Sequence, residues 1–317
     1  MPEGATLGPG RACPAHYGYS ATVFDRAPDI EAGTLLVAGG LYGNVQALRA
    51  LEALATRERN NTAIVFNGDF HWFDIDARVF AAIESGTAPH VRLRGNVETE
   101  IAGEDAGAGC GCAYPDDVDE TVVARSNAIL SMLRETARSM PVARSALASL
   151  PAQCVARIGG ARVGIVHGDA ESLAGWRFDA SALDDPGQAR WREEAFVHAK
   201  VDIFASSHTC RAALRRFHAG GRDVVVANNG AAGMPNFADG RHGLVTRIAA
   251  EPSPAALYRA RAGGVFVEAL PLAYDTAAFE ASFLAQWPPG SPAHASYWQR
   301  IAHGADGAVA EAAPRSG

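Results

Sequence analysis

Polar side chains of the kinds that bind metal ions stand where several short apolar segments of this sequence end. In chain order they are Asn44, Asp69, Asn96 with Glu98, His167 with Asp169, and His208. In open α/β sheets the reactive groups gather beyond the carboxyl ends of the strands, where the loops converge. Carboxylate, amide and imidazole donors together suit Mn, Fe, Zn and similar divalent ions. The sequence therefore predicts a divalent metal site at one edge of a sheet.

The elements that must position these side chains alternate in the first half of the chain. Strands are predicted at residues 34–38, 63–66 and 90–93, and helical spacing of apolar residues follows the first two, over 45–54 and 77–84. Such alternation indicates a parallel sheet with helices on its faces. A helix is predicted over 121–138. From residue 154 onward the pattern changes to strands with short connections, at 154–158, 162–166, 201–205, 213–217, 223–227, 244–248, 257–261 and 265–270.

The composition limits the class of protein. The chain has 317 residues, of which 48% are hydrophobic, so it can bury a full core in one large domain or two small ones. A formal net charge of −7 argues against a broad nucleic-acid or anionic-membrane surface, because such binders display a basic face. The sequence shows neither a membrane-spanning apolar run nor a signal peptide, which favours a cytoplasmic protein that is not bound to a membrane.

Five sequence blocks resemble those of the calcineurin-like metallophosphoesterases and occur in that family's order. The blocks are Gly40 to Asn44, Gly68-Asp69, Gly95 to Glu98, Val166 to Gly168, and Ser207 to Cys210. A further stretch from Asn228 to Pro235 is similar to a turn of the small bacterial phosphodiesterase branch. The resemblance spans about residues 34 to 250.

The resemblance implies a fold and a division of the chain. The fold is a four-layer αββα sandwich of two mixed β-sheets flanked by helices. Residues 1–32 are expected to form an irregular lead-in, 33–275 the metallophosphoesterase-like domain, and 276–317 a C-terminal helical extension with a flexible tail.

The resemblance also implies a reaction and its site residues. Asp69, Asn96, His167 and His208 would be the catalytic residues and would hold a divalent ion (Mn, Fe, Zn or Mg) that activates water against a phosphomonoester, phosphodiester or phosphoanhydride. Asp69 would also bridge to the family's first metal position, whose remaining ligands are missing because Gly40, Tyr42 and Cys210 stand in their places. Val97 occupies the position of the family's general acid. The expected partner is a phosphorylated small molecule.

Other side chains are candidates to refill the first metal position. His71 is one, and its alternative role is that of a packed, hydrogen-bonded residue among neighbouring aromatic rings. Cys210, Cys110 and Cys112 are the others, as thiolates. The five cysteines are odd in number and are expected to be reduced, and Cys110 with Cys112 is too closely spaced for a comfortable disulfide.

Substrate contacts are expected from Tyr42, Asn44, Arg94, Glu98 and His242. Two other functions remain open at this stage. One is a catalytically degenerate relative that binds a phosphorylated ligand or a protein partner through the same crevice. The other treats Gly39 to Gly43 as a nucleotide-phosphate loop before a helix N-terminus.

Overall fold

Two six-stranded sheets form the centre of the protein. The computed structural model of the chain describes residues 8–104 and 107–315. In chain order the strands are β1 (Ile30–Ala32), β2 (Thr34–Val37), β3 (Thr62–Asn67), β4 (Val91–Leu93), β5 (Gln153–Ile158), β6 (Ala161–Val166), β7 (Ile203–Ser206), β8 (Ala212–Ala219), β9 (Arg222–Asn229), β10 (Gly243–Ala249), β11 (Tyr258–Ala262) and β12 (Val265–Leu272).

The helices lie before, between and after these strands. In chain order they are α1 (Val45–Ala55), α2 (Ala77–Thr87), α3 (Asn96–Ala102), α4 (Glu120–Arg138), α5 (Pro141–Ala148), α6 (Ala180–Asp184), α7 (Ala189–Ala199), α8 (Thr276–Gln286), α9 (Pro292–His303) and α10 (Val309–Ala312). Short 3₁₀ helices occupy Ala15–Tyr17, Ala21–Phe24 and Pro186–Gln188. Helices α3, α5, α6 and α7 were absent from the sequence prediction, because they are short or only weakly amphipathic.

Both sheets are mixed, as the sequence predicted. The strand orders are β11-β12-β10-β2-β3-β4 and β1-β5-β6-β7-β9-β8. Strands β2, β3 and β4 run parallel, and β10 pairs antiparallel to β2. In the second sheet β6, β7 and β9 run parallel, and β5 pairs antiparallel to β6. The carboxyl ends of the parallel strands therefore meet at one edge of each sheet.

The apolar core lies in three layers that separate the sheets and helices. Between the sheets, buried residues such as Val65 of β3 and Ile165 of β6 form one layer. Leu51 of α1 belongs to the layer on the outer face of the first sheet, and Phe196 of α7 to the layer on the second. This arrangement confirms the four-layer αββα prediction.

The two ends of the chain differ from the expected irregular segments. Residues 30–32 belong to β1, which pairs parallel to β5, and three residues are too few to show a strand pattern in sequence. At the other end, Arg215 donates hydrogen bonds to the carbonyls of Glu311, Ala312 and Ala313, so this part of the predicted flexible tail is packed on β8. Residues 1–7 and 316–317 lie outside the described residues, and the domain bounds stay a prediction.

The described helices are also too short or too polar to cross a lipid bilayer.

Candidate metal centre

Four polar side chains meet where the two sheets face each other. Asp69 follows β3 and Asn96 starts α3 just after β4, both in the first sheet. His167 follows β6 and His208 follows β7, both in the second sheet. We call these four residues the donor cluster. All four lie just beyond the carboxyl ends of parallel strands, Asp69, His167 and His208 in loops and Asn96 at the first residue of α3, as the sequence predicted.

The potential ligand atoms of the donor cluster are within a few ångströms of one another. His167 Nε2 lies 2.9 Å from Asn96 Oδ1, 3.0 Å from His208 Nδ1 and 3.4 Å from Asp69 Oδ1. The ligand atoms of Asp69, His167 and His208 all fall within 4.8 Å of one another, and the three residues are buried. Atoms about 3 Å apart suit a cation with bonds of about 2.1 Å at right angles.

Hydrogen bonds on the far side of each ring fix which nitrogen faces the cluster. His167 Nδ1 donates to the carbonyl of Asn67 at 2.9 Å, and His208 Nε2 donates to the carbonyl of Cys112 at 3.0 Å. In its neutral form, each imidazole therefore turns a lone pair inward. Backbone carbonyls commonly orient metal-binding histidines in this way.

The amide of Asn96 is oriented by the same loop that holds His208. Asn96 Nδ2 donates to the carbonyl of Cys110 at 2.9 Å, which leaves Oδ1 facing His167. With both rings neutral, two imidazole lone pairs, an amide oxygen and a carboxylate oxygen thus point at one another, and the Val97 backbone N–H donates to Asp69 Oδ1 at 3.4 Å. A divalent cation satisfies all four, so the residues present fit a metal ion.

The pKa values of the two histidines in the donor cluster shift in opposite directions. Burial lowers the pKa of His167, but the Asp69 carboxylate outweighs burial and the net pKa is raised. Burial, together with the neighbouring His167, lowers the pKa of His208 to about 3. His208 is therefore a neutral donor at physiological pH, which is the protonation state that a metal ligand needs.

Two glycines allow this close approach of loops. Gly68 has φ +95°, and a Cβ built on it would lie 2.5 Å from His167 Nδ1. A Cβ on Gly95 would lie 2.4 Å from Asp69 Oδ1. Any larger residue at either position would push a ligand aside, so both glycines are needed for the geometry of the donor cluster.

Glu98 supports the Asp69 loop and does not face a ligand. Its carboxylate accepts hydrogen bonds from the backbone N–H groups of Asp69 and Gly95, both at 2.8 Å, and from that of His71 at 3.3 Å. Burial, followed by the negative charge of Asp69, raises the pKa of Glu98. The expected substrate contact from Glu98 is therefore wrong, because its oxygens are occupied by backbone donors.

The opposite side of the crevice is filled by an aromatic ring and a thiol. We call Gly40, Tyr42 and Cys210 the tyrosine side. Tyr42 Oη lies 2.7 Å from Cys210 Sγ, and a Cβ on Gly40 would be 2.8 Å from three atoms of the Tyr42 side chain. Burial raises the pKa of the Cys210 thiol, which disfavours the thiolate that a metal would need. Cys210 is not part of the donor cluster.

His71 is a packed residue, which was the alternative to its role as a ligand. Its Nδ1 pairs with Asp74 at 2.5 Å and its Nε2 with Glu84 at 3.0 Å, while the ring stacks on Phe80 at 3.9 Å. Burial lowers the pKa of His71, but the two carboxylates raise it to about 9. Both nitrogens are used as donors, so His71 has no lone pair for a metal.

Cys110 and Cys112 are joined by a disulfide, which corrects the expectation of free thiols and of thiolate ligands. Their Cα atoms are 5.4 Å apart, within the usual range. The turn is possible because Gly109 and Gly111 adopt positive φ values of 64° and 65°. The carbonyl groups of Cys110 and Cys112 face the donor cluster and accept hydrogen bonds from Asn96 and His208.

Three of the other expected substrate contacts lie elsewhere. Asn44 is fully buried and caps α1, accepting from the backbone N–H groups of Gln46 and Ala47 at 3.0 Å each. Arg94 lines a separate cleft with Glu100 and Leu147. His242 is half-buried beside Phe237 and does not line the crevice above the donor cluster. Among the expected contacts, Tyr42 does line that crevice.

The nucleotide-phosphate loop is contradicted by its own hydrogen bonds. The backbone N–H groups of Gly40, Tyr42 and Gly43 donate to the carbonyls of the 68–70 segment at 2.8 to 3.1 Å. A phosphate-binding loop needs these groups free.

A pocket of about 150 Å³ opens directly above the donor cluster. Besides Cys112, its lining includes several residues that the sequence did not indicate: Trp72, Tyr114, Trp176, Thr209 and Tyr297. Trp176 Nε1 donates to the carbonyl of Cys112 at 3.0 Å, the same oxygen that orients His208. Tyr297 lies on α9, so the C-terminal helices form one wall of the site.

Comparisons with known proteins support the fold at low sequence identity. A metallophosphoesterase from Sphaerobacter thermophilus matches with a TM-score of 0.53 and 18% identity, over 86% of this chain and 100% of its own. A hypothetical protein from Pyrococcus horikoshii matches with a TM-score of 0.59 and 17% identity, over 88% of this chain and 100% of its own. None of the known protein-family models matches the sequence, and no curated protein matches it.

Proposed function

We propose that this chain, which has the fold of the metallophosphoesterases, is a hydrolase that cleaves phosphoester or phosphoanhydride bonds of a small molecule with one divalent cation. The observation that carries the proposal is the donor cluster, in which acceptor atoms of Asn96, His208 and Asp69 lie within 3.4 Å of His167 Nε2. Mn, Fe and Zn suit this mixture of oxygen and imidazole donors best.

The cation would supply acidified water and a polarised phosphoryl oxygen. The chain's own residues would supply the rest. Asp69 provides the negative charge that retains the cation, and Asn96 an oxygen that is fixed by its hydrogen bond to Cys110. His208 stays neutral and is oriented by Cys112. Because all of these side chains are buried, the site is preorganised and loses little entropy when it binds a substrate.

Val97 determines which bonds can be broken. It is buried beside Asn96, lines the pocket and cannot donate a proton to a leaving oxygen. A general acid contributes on the order of 10²-fold or more when the leaving group is a strong base. Weakly basic leaving groups, such as those of phosphoanhydrides and activated esters, need no such help.

The tyrosine side favours a second candidate function. Its ring and thiol fill the position where the family resemblance places a first metal ion, and that substitution removes the two-metal clamp of attacking and leaving oxygens. A protein that keeps the crevice without turnover would bind a phosphorylated ligand there. The Tyr42 ring would then form part of the wall that contacts the ligand.

Metal analysis and a substrate panel separate the two functions. The full chain would be saturated with Mn²⁺ or Zn²⁺, its stoichiometry measured, and hydrolysis of monoesters, diesters and anhydrides followed for the wild type and Asp69→Ala. We expect one ion per chain and turnover that Asp69→Ala abolishes. Asp169→Asn is the matched control, because Asp169 is a buried carboxylate at a neighbouring strand end that bonds only loop N–H groups.

Each outcome of that panel is decisive. Bound metal with no Asp69-dependent hydrolysis supports the binding function. Equal metal content and equal turnover in the wild type and Asp69→Ala would exclude the donor cluster as a metal centre.

A further inference from the structure

The pocket above the donor cluster is walled by aromatic rings. Tyr42, Trp72, Tyr114, Trp176 and Tyr297 line it, and its floor consists of donor-cluster atoms. Three of these rings are held in place by contacts with neighbouring residues. Trp176 donates to Cys112, Tyr114 Oη pairs with Ser126 at 3.0 Å, and Tyr297 packs edge-on against Phe73 at 5.0 Å. We call this the aromatic pocket.

The aromatic pocket has the size of a single planar ring. Its volume is about 150 Å³. An apolar cavity of roughly that volume, about 150 Å³, accommodates benzene. Aromatic walls favour another ring in offset or edge-to-face packing.

The charges of the residues that line the pocket also restrict which ligands it can bind. None of the described residues that line it is Lys or Arg, and Asp69 and His208 are at its floor. Arg300 lies behind the wall, where its guanidinium donates to the carbonyls of Pro235 and Cys210. A polyphosphate chain would therefore find no cationic side chain among the described lining residues to balance its charge. A substrate with one phosphoryl group on the cation and an uncharged ring against the walls matches the pocket.

The lack of a proton donor at position 97 further restricts which leaving groups the substrate can carry. Val97 lines the pocket at the floor, next to Asn96. An oxygen that departs there must leave as an anion, which is favourable for an aryl oxide and unfavourable for an alkoxide.

We propose that the substrate is an aryl phosphoester whose leaving group carries one ring, bound in the aromatic pocket; this inference rests on the proposed function. In the reaction the bond between phosphorus and the aryl oxygen breaks, and its electron pair leaves on that oxygen. A new bond forms between phosphorus and the oxygen of water. The proton of that water passes to solvent.

The test separates ring recognition from leaving-group acidity. Esters of substituted phenols would be compared with fluorinated alkyl phosphates whose leaving groups have matched acidity, using the full chain loaded with Mn²⁺. The value of kcat/KM would be measured for the wild type and Asp69→Ala. We expect aryl esters to react about tenfold faster than alkyl esters of equal acidity. We also expect kcat/KM to rise steeply as the leaving group becomes less basic.

A pocket variant ties the preference to these walls. Tyr297→Ala should lower the aryl-to-alkyl ratio about fivefold, whereas Tyr297→Phe, which keeps the ring, should preserve it. Phenylphosphonate and methylphosphonate provide a binding measurement that does not need turnover. The intrinsic fluorescence of Trp72 and Trp176 would report tighter binding of phenylphosphonate by about tenfold.

The failures of the two proposals are distinguishable. Asp69-dependent turnover with equal aryl and alkyl rates, or equal affinity for the two phosphonates, overturns the aryl inference and leaves the hydrolase proposal standing. No Asp69-dependent turnover of any ester overturns the hydrolase proposal, and the aryl inference with it. If Tyr297→Ala fails to fold, the phosphonate comparison on the wild type still decides.

Discussion

The donor cluster and the tyrosine side occupy the same crevice and share one backbone device. Asp69 of the first and Tyr42 and Cys210 of the second all adopt left-handed backbone, with φ of 53°, 55° and 56°. Such conformations cost of order 1–3 kcal/mol each in residues other than glycine and cluster at functional sites. The strained loops are thus present on both sides, whereas metal-binding side chains are present on one.

The two sides differ in the partners of their hydrogen bonds. In the donor cluster, Asn96, His167 and His208 each donate to a backbone carbonyl from the side of the group that faces away from the centre, so their acceptor atoms face inward. On the tyrosine side the hydroxyl bonds to the thiol, and the thiol donates to the carbonyl of His208, so both groups have partners. The inward-facing acceptor atoms of the donor cluster need a cation as their partner, whereas the hydroxyl and the thiol of the tyrosine side already have hydrogen-bond partners.

The strongest test of this difference removes one histidine of the donor cluster and, in a separate variant, replaces a buried histidine outside the cluster. His167→Ala should weaken Mn²⁺ or Zn²⁺ binding at least a hundredfold, beyond the roughly 10–100-fold typical of residues that only orient ligands. Isothermal titration of the full chain measures the affinity.

His71→Gln is the matched control for that experiment. It should leave metal affinity within about threefold and instead lower the free energy of unfolding by about 3 kcal/mol, because it leaves the buried carboxylate of Asp74 without its partner. Chemical denaturation reports the loss. Weak metal binding in His71→Gln with normal binding in His167→Ala would reverse the assignment of the two histidines.

Val97→His places a proton donor next to the donor cluster and so tests the role assigned to Val97. The new imidazole should raise kcat/KM about a hundredfold for esters with strongly basic leaving groups and change it little for activated esters. The rate measured across a series of leaving groups would therefore become less steep. Val97→Leu preserves the apolar character and should keep the steep dependence. A uniform change across the series would contradict the role assigned to Val97.

The sequence predicted the parts of this site that depend on strand ends. Asp69, Asn96, His167 and His208 each follow a short apolar segment, and parallel strands bring such positions to one edge. The sequence could not predict the carbonyls of Cys110 and Cys112, because a carbonyl group carries no residue-type signal. His71 was ambiguous for a related reason, since its fate is decided by Phe80 and Glu84 on a separate helix.

The disulfide turn gives the next prediction, because it holds two ligands of the donor cluster through its carbonyls. Cys110→Ala combined with Cys112→Ala should relax the turn and weaken metal binding about tenfold, by loosening Asn96 and His208. Titration with Mn²⁺ measures the change. Cys13→Ser, which alters an exposed free thiol, should have no effect. An unchanged affinity in the double variant would show that these carbonyls are held without the disulfide.

The smallest expected effect tests whether the Tyr42 ring really occupies the other half of the crevice. Gly40→Asp alone should destabilise the protein, because its Cβ would lie 2.8 Å from the Tyr42 ring. Tyr42→His removes the obstructing ring, so the double variant should be more stable than the sum of the single variants by about 1 kcal/mol. Denaturation of all four proteins gives this coupling. Strictly additive changes in the free energy of unfolding would mean that the Tyr42 ring does not fill the space beside Gly40. Binding of a second metal ion per chain by the double variant would show that the strained loops of the tyrosine side lack only metal-binding side chains.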